Sequence, residues 1–502
     1  MSNEDFVTLN GYDWAGYAQP DGPNTEPIYL SCHDFGDFSE SFGDFTLKFR
    51  PDPNAPGRTL KTGTFRGAPG LAELTLTPAI RKTRDVLSEY IKCPAPIYLQ
   101  DICGRRDIFE DWDSQNIVLD FAGPTERTIS NVGKKSLDDN EESMIEYSFQ
   151  APNLYYFYKP SVSRLVGITE VAGLNAIDVC STERCTSNCG EGIEVCQNVI
   201  VAGDVTASSP TDTPLVWESN DSGSNFSASA ASPFSAGDDI AALICIPLGN
   251  DTYRWIAFNG TTDAGAPAQI AYSDDGGITW TTVSVGSTNG QYFLSGKAVV
   301  YTPEGNSIWA VTTGGYVYKS TDKGLTWTAV HAGSLTTQNF HSISRFGKNL
   351  LVVSGASDAM IKSTDGGASW TALTVTGGGN TLNRIFAVTK FRYFVGDSAG
   401  NLYFTEDGGT TWSLRNAYGG SIADISFIGE LFGFMLQNTA SPVGTVYYTR
   451  NGGYTWEPLT TPTNEGLNMI HQCSPNEALV VGEPITGGNS VVLKVAPDPA
   501  IG

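Results

Sequence analysis

The phrase Ser363-Thr-Asp-Gly-Gly-Ala-Ser-Trp370 constrains this chain more than any other stretch, because it recurs. Ser273-Asp-Asp-Gly-Gly-Ile-Thr-Trp280 and Ser320-Thr-Asp-Lys-Gly-Leu-Thr-Trp327 precede it; Thr405-Glu-Asp-Gly-Gly-Thr-Thr-Trp412 and Thr449-Arg-Asn-Gly-Gly-Tyr-Thr-Trp456 follow. The tryptophans stand 47, 43, 42 and 44 residues apart. A worn sixth copy, Ser219-Asn-Asp-Ser-Gly-Ser-Asn-Phe226, has Phe for Trp. A fixed period in the forties over short β-type runs predicts the blades of a propeller, not stacked helices.

Each residue type in the phrase has a folding role. The glycine allows positive φ, the Asp accepts turn N–H groups, and the Ser or Thr hydroxyl does so more weakly. The Trp buries a large face, and its N–H is expected to find a partner. Asp221, Asp275, Asp322, Asp365, Asp407 and Asn451, with Trp280, Trp327, Trp370, Trp412 and Trp456, are therefore read as fold determinants, with no catalytic or cofactor-binding residue among them. They belong to hairpins on the rim, away from the central funnel.

Blades starting near residues 193, 240, 294, 340, 382, 422 and 466 make seven, with six as the second count. The last blade lacks an outer strand, so Leu165–Thr169 or Ala176–Val179 is expected to supply it. Ring closure of this kind removes exposed sheet edges.

The repeats resemble the Asp-box (BNR) repeat of sialidases, sortilin-type receptors and the photosystem II assembly factor family, over about residues 193–495. Tyr393-Phe-Val-Gly-Asp397 through Trp412 matches a recurring phrase of the last family. The resemblance implies a β-propeller and leaves function open.

Residues 1–160 read as a second, all-β domain: a sandwich or barrel with one helix over Ala79–Lys92. The segment 1–27 reads as an extended arm or loop and Pro51–Pro69 as a long loop. The fold class is then all-β, a β-sandwich or barrel (1–160), a linker with a cysteine cluster (161–197) and an Asp-box propeller (198–502). The first domain resembles phage tail tube proteins, through its acidic arm, its long loop and the passage Leu71–Leu99. That resemblance implies a virion tail component, assembled in the host cytoplasm. Homo-hexameric rings would stack into a tube, with DNA passing through as cargo. Other virion proteins would be partners, and the propeller would face a surface glycan or host receptor. The alternatives are a propeller binding or scaffold protein, non-viral or capsid-decorating, and a glycoside hydrolase of sialidase-like fold.

Charge and composition limit other classes. A net charge of −24 argues against a phosphate backbone as main partner. No run of apolar residues is long enough for a membrane helix. Sialidase-type repeats need three substrate-binding arginines, but propeller arginines are few: Arg254, Arg345, Arg384, Arg392, Arg415 and Arg450. Paired carboxylates, the glycosidase requirement, are neither pointed to nor excluded by so acidic a chain. The four histidines accompany no G-x-S-x-G elbow. The expectation is a non-enzyme without cofactors. Cys180, Cys185, Cys189 and Cys196 form a compact cluster that suits disulfides better than zinc, which prefers paired knuckles.

Overall fold

The computed structural model describes ten strands within residues 14–156, and residues 160–497 apart from short segments, the longest being 181–197 and 205–212. The chain divides into two units, Met1–Phe157 and Tyr158–Gly502.

In the first unit the strands are β1 (Trp14–Ala18), β2 (Ile28–Leu30), β3 (Phe35–Glu40), β4 (Thr46–Pro51), β5 (Thr59–Phe65), β6 (Ala72–Leu76), β7 (Ala95–Asp101), β8 (Asn116–Ile129), β9 (Ile145–Ala151) and β10 (Asn153–Tyr156). The sheet order is β2-β1-β7-β8-β9-β6-β3, with β10 also on β8. The first half of β8 pairs with β7 and β10, and its second half with β9. Two sequence expectations change here. The extended arm contains β1, which pairs with both β2 and β7. The expected loop Pro51–Pro69 contains β5, a hairpin partner of β4; the alternation in Thr59-Leu-Lys-Thr-Gly-Thr-Phe65 was masked by the Pro- and Gly-rich residues around it. The helix expected at Ala79–Lys92 lies outside the described residues.

The second unit is a seven-bladed, all-β Asp-box propeller. Its opening strand is β11 (Pro160–Arg164). Blade 1 is β12 (Gly173–Val179), β13 (Val199–Asp204), β14 (Trp217–Ser219) and β15 (Ser227–Ala228); blade 2 is β16 (Ile240–Gly249), β17 (Thr252–Asn259), β18 (Ala268–Ser273) and β19 (Thr281–Val285). Blade 3 is β20 (Val299–Thr302), β21 (Ser307–Thr312), β22 (Tyr316–Ser320) and β23 (Thr328–Ala332); blade 4 is β24 (Phe340–Phe346), β25 (Leu350–Gly355), β26 (Met360–Ser363) and β27 (Thr371–Leu373). Blade 5 is β28 (Leu382–Ala387), β29 (Tyr393–Asp397), β30 (Asn401–Thr405) and β31 (Ser413–Ala417); blade 6 is β32 (Ser421–Ile428), β33 (Phe432–Asn438), β34 (Gly444–Thr449) and β35 (Glu457–Leu459). Blade 7 is β36 (Leu467–Ser474), β37 (Glu477–Pro484) and β38 (Ser490–Pro497), completed by β11.

Closure thus uses Pro160–Arg164, just upstream of the two candidates; Ala176–Val179 is instead the inner strand of blade 1. Segment 161–197, expected as a linker, holds two propeller strands, and the cysteine cluster starts where β12 ends. The second strand of each blade is covered by neighbours on both faces. Hence β21, β25 and β29 are buried at every position and read as continuous apolar runs. Outer strands such as β27 and β31 are mostly exposed.

Candidate functional site

Each box holds its own hairpin turn together through hydrogen bonds among its side chains and main chain. In the second blade, Asp275 Oδ1 accepts the Thr279 N–H (2.9 Å) and the Ser273 hydroxyl (2.8 Å), while the Ser273 oxygen accepts the Gly277 N–H (2.8 Å). The same bonds recur around Asp322, Asp365 and Asp407, and in the worn copy around Asp221. Hydrogen bonds from the turn hold Asp221, Asp275, Asp365 and Asp407 down to about 2, led by the side chains of Asn225, Thr279, Ser369 and Thr411. Both oxygens of each of these carboxylates accept hydrogen bonds from their own turn. Asn451 lies outside the described residues, although Gly453 N still donates to Thr449 Oγ1.

Trp280 Nε1 donates to Ala231 O and Trp327 Nε1 to Gly324 O. Among the described residues, the buried indole N–H groups of Trp370, Trp412 and Trp456 find no hydrogen-bond acceptor, against expectation. Their contribution is packing: Trp456, for instance, sits edge-on to Phe394 and Phe427.

The inner strands carry a second network. Their inward edge has unpaired N–H groups that need acceptors. Side chains of the preceding blade supply them: Ile385 N donates to Ser342 Oγ, Ile470 N to Asp424 Oδ2 (2.8 Å) and Cys245 N to Asp178 Oδ2 (2.7 Å). Asp424 is completely buried and also holds Lys297 (2.7 Å) and Arg384 (3.0 Å). His471 Nδ1 lies 3.3 Å from Asp178 Oδ1. Arg384, one of the arginines a sialidase-type site would need, is therefore spent on the frame. So are Arg254 on Asp274, Arg392 on Glu406 and Arg415 between the rings of Phe404 and Tyr454.

A third group is different. At the face where the inner strands begin, opposite the boxes, Asp204 (end of β13), Asp239 (before β16) and Glu483 (in β37) stand together, each only half-buried. The inner strands are bulged beside them, at Asn175 in β12 and Asn468 in β36. Asn175 Nδ2 donates to Asp204 Oδ1. Asn468 Nδ2 donates to Glu483 Oε1 (2.9 Å) and across to Leu174 O (3.1 Å). The Asp204 carboxyl is pushed up to about 6, first by burial, then by the charge of Asp239, with Glu483 adding to it; the Asn175 hydrogen bond opposes the rise. A carboxyl that carries its proton near pH 6, beside two further carboxylates, can donate and take back a proton in that range. Among the described residues no group of three or more His, Cys, Asp or Glu is disposed to hold a metal ion.

None of these five residues stood out in the sequence. The available signal was the dipeptide Leu-Asn, which opens three inner strands at Leu174, Leu382 and Leu467. Asn383 uses it for a blade-to-blade tie, to Ser421 Oγ (2.8 Å) and Ile422 O (3.1 Å).

Of the cysteine cluster, Cys180 is disulfide-bonded to Cys245, a residue read from sequence as scattered, so its sulfur is not available as a zinc ligand. Cys473 is also disulfide-bonded. Cys185, Cys189 and Cys196 lie outside the described residues.

The BNR/Asp-box repeat family model matches residues 271–282. No curated protein matches the chain. YCF48 from Cyanidioschyzon merolae is 17% identical, with a TM-score of 0.47, over 68% of this chain and 99% of that one. Virginiamycin B lyase from Staphylococcus aureus is 12% identical, TM-score 0.48, over 67% and 99%. The GH74 xyloglucanase from Xanthomonas campestris is 14% identical, TM-score 0.45, over 65% and 52%.

These findings correct the functional expectation. The structures matched include YCF48, a lyase and a xyloglucanase, none of them a tail protein. The tail tube, its hexameric rings, its virion partners and DNA cargo, and the virion location are withdrawn. The expectation of a non-enzyme is withdrawn as well, since a lyase and a xyloglucanase stand among the matches. No helix among the described residues is long and apolar enough to cross a membrane.

Proposed function

We propose, for a chain whose second unit is a propeller of BNR/Asp-box repeats, that Asp204, Asp239 and Glu483 form the working site of a glycoside hydrolase acting on neutral sugars. The observation that carries this reading is the Asp204 carboxyl, raised to about 6 by burial and by its acidic neighbours. Glycoside hydrolysis needs one carboxyl that protonates the departing oxygen and another that either activates water or attacks the sugar carbon. Asp204 takes the first role. Asp239 and Glu483 are the candidates for the second. Asn175 and Asn468 hold two of the carboxylates in place and offer the amide chemistry that sugar hydroxyls meet. A neutral substrate fits because an acidic site repels sugar acids, while Arg254, Arg384, Arg392 and Arg415 are engaged elsewhere.

The first unit supports a sandwich or barrel through β8, which serves two sets of partners along its length; we keep that architecture as part of the proposal.

The test is hydrolysis of a panel of neutral oligosaccharides by the full chain and by Asp204→Asn. Turnover with an acidic pH limb near 6, falling by a hundredfold or more in the variant, is expected. Sugar binding without turnover would instead return the propeller to a binding role. The absence of both binding and turnover would overturn the proposal.

A further inference from the structure

A separate constellation lies on blade 3. His331, in the outer strand β23, is 5% exposed. Its Nδ1 lies 2.8 Å from the main-chain carbonyl of Gly315, and its Nε2 lies 3.3 Å from the hydroxyl of Ser334. A carbonyl oxygen can only accept, so Nδ1 carries the proton in the neutral ring. Nε2 is then the acceptor, and it faces the Ser334 hydroxyl. The ring is held in that pose by packing against Phe340 and Trp370, with centroids 6.3 and 6.2 Å away. Gly333, at φ +69°, turns the chain back over the imidazole, and its N–H donates to the same Gly315 carbonyl (3.1 Å). Base, orienting group and hydroxyl are thus fixed by three different contacts. Ser334 is exposed, so its oxygen is open to a reactant although its base is buried.

We propose that Ser334 is a nucleophile activated by His331, with an activity toward esters of short apolar acids. A nucleophile within reach of a base that a third group orients is the working unit of covalent acyl transfer. The Ser334 oxygen attacks the ester carbonyl carbon as its proton passes to His331 Nε2. The intermediate collapses with cleavage of the carbonyl–alkoxy bond, and the alcohol leaves with the proton from His331. Water then attacks the acyl-serine, giving up a proton to His331, and releases the acid and the free hydroxyl. In this assignment the main-chain N–H groups of Ser334 and Leu335 take the oxyanion. Leu335, 43% exposed, supplies an apolar contact for the acyl chain. This activity is independent of the acidic site on blades 7, 1 and 2.

The full chain is treated with a fluorophosphonate probe and the adduct mapped by peptide mass spectrometry, alongside hydrolysis of p-nitrophenyl butyrate. An adduct on Ser334 is expected, with ester turnover reduced a hundredfold or more in Ser334→Ala. Ser334→Ala removes an exposed hydroxyl whose partner is the buried His331 Nε2, so a modest fall in unfolding temperature is expected; a variant that stays folded at the assay temperature yet has lost turnover separates chemistry from folding. His331→Gln tests the base by the rate of adduct formation. No adduct at Ser334, or ester turnover unchanged in Ser334→Ala, overturns the assignment.

Discussion

Lys297 Nζ lies 2.7 Å from Asp424 Oδ2, although the two residues belong to blades 3 and 6 of a seven-bladed ring. Lys297 also donates to Ile470 O in blade 7 (3.0 Å), and Arg384 of blade 5 shares the same Asp424. One carboxylate therefore ties four blades at the axis. Burial pushes Lys297 below its ordinary pKa, while the Asp424 charge acts against that fall. Removing the carboxylate leaves two buried cations and an uncapped Ile470 N–H. Asp424→Ala is expected to cost about 3–5 kcal/mol, the usual penalty for breaking a buried ion pair. Urea unfolding at neutral pH measures it. A loss below about 1 kcal/mol would show that the axis is held by packing alone.

Asp204 gives a pH signature. Its folded pKa, about 6, lies above the unassisted value of 3.8, so the folded chain binds more protons than the unfolded one between these limits. Stability attributable to this group is complete below about pH 4 and declines as pH rises through 6. Asp204→Asn should therefore be more stable than the parent at pH 7 and indistinguishable from it near pH 3.5. Thermal unfolding at the two pH values decides this, and a variant less stable at pH 7 would contradict it.

The box carboxylates titrate the other way. Asp275, Asp365 and Asp407 are held near 2 against 3.8, so the contribution of each box is present above pH 4 and is lost as pH falls through 2. Asp365→Asn should lower the unfolding temperature at pH 7, and the difference from the parent should shrink in acid. Circular dichroism melts at pH 7 and pH 2.5 test this.

How much of this was legible follows from what repeats and what does not. The boxes repeat because each builds the same turn, so Asp365 and Trp370 announced the blade period directly. The inner strands are bulged, as at Leu382 to Arg384 and Ile422 to Asp424. That extra residue breaks the alternation by which a strand is read. Asp424 is a charged residue among the apolar positions of β32 and Lys297 lies in the turn before β20, and no local pattern links residues more than a hundred positions apart. Asp204, Asp239 and Glu483 come from three blades and meet only because the ring closes. Closure by β11 was predictable as a need; its location was not, because Pro160–Arg164 is short and partly polar.

Glycine at the fifth box position can be tested by paired substitutions. Gly367 has φ +81°, and a Cβ built there would lie 2.4 Å from Trp309 Cη2 and 2.5 Å from Cζ3. Gly378 has φ +84° and nothing within 4 Å. Gly378→Ala should show only the left-handed backbone cost, about 1–2 kcal/mol. Gly367→Ala carries that cost plus overpacking of roughly 1–3 kcal/mol against a rigid indole. Equal losses in chemical denaturation would remove the packing explanation and leave backbone geometry alone.

The Cys180–Cys245 bond joins the end of the inner strand of blade 1 to the inner strand of blade 2 and closes a separation of 65 residues. Cross-links of this span typically stabilise by about 2–4 kcal/mol. The double variant Cys180→Ser with Cys245→Ser should lose that amount, read as a lower denaturant midpoint with the slope preserved. The consequence reaches the opposite face, because these two blades carry Asp204 and Asp239. If the staple sets their separation, its loss weakens the repulsion that helps raise the Asp204 carboxyl. The acidic limb of any turnover should then move below pH 6 in the double variant while the protein remains folded. An unchanged limb, with reduced stability, would confine the disulfide to holding the ring together.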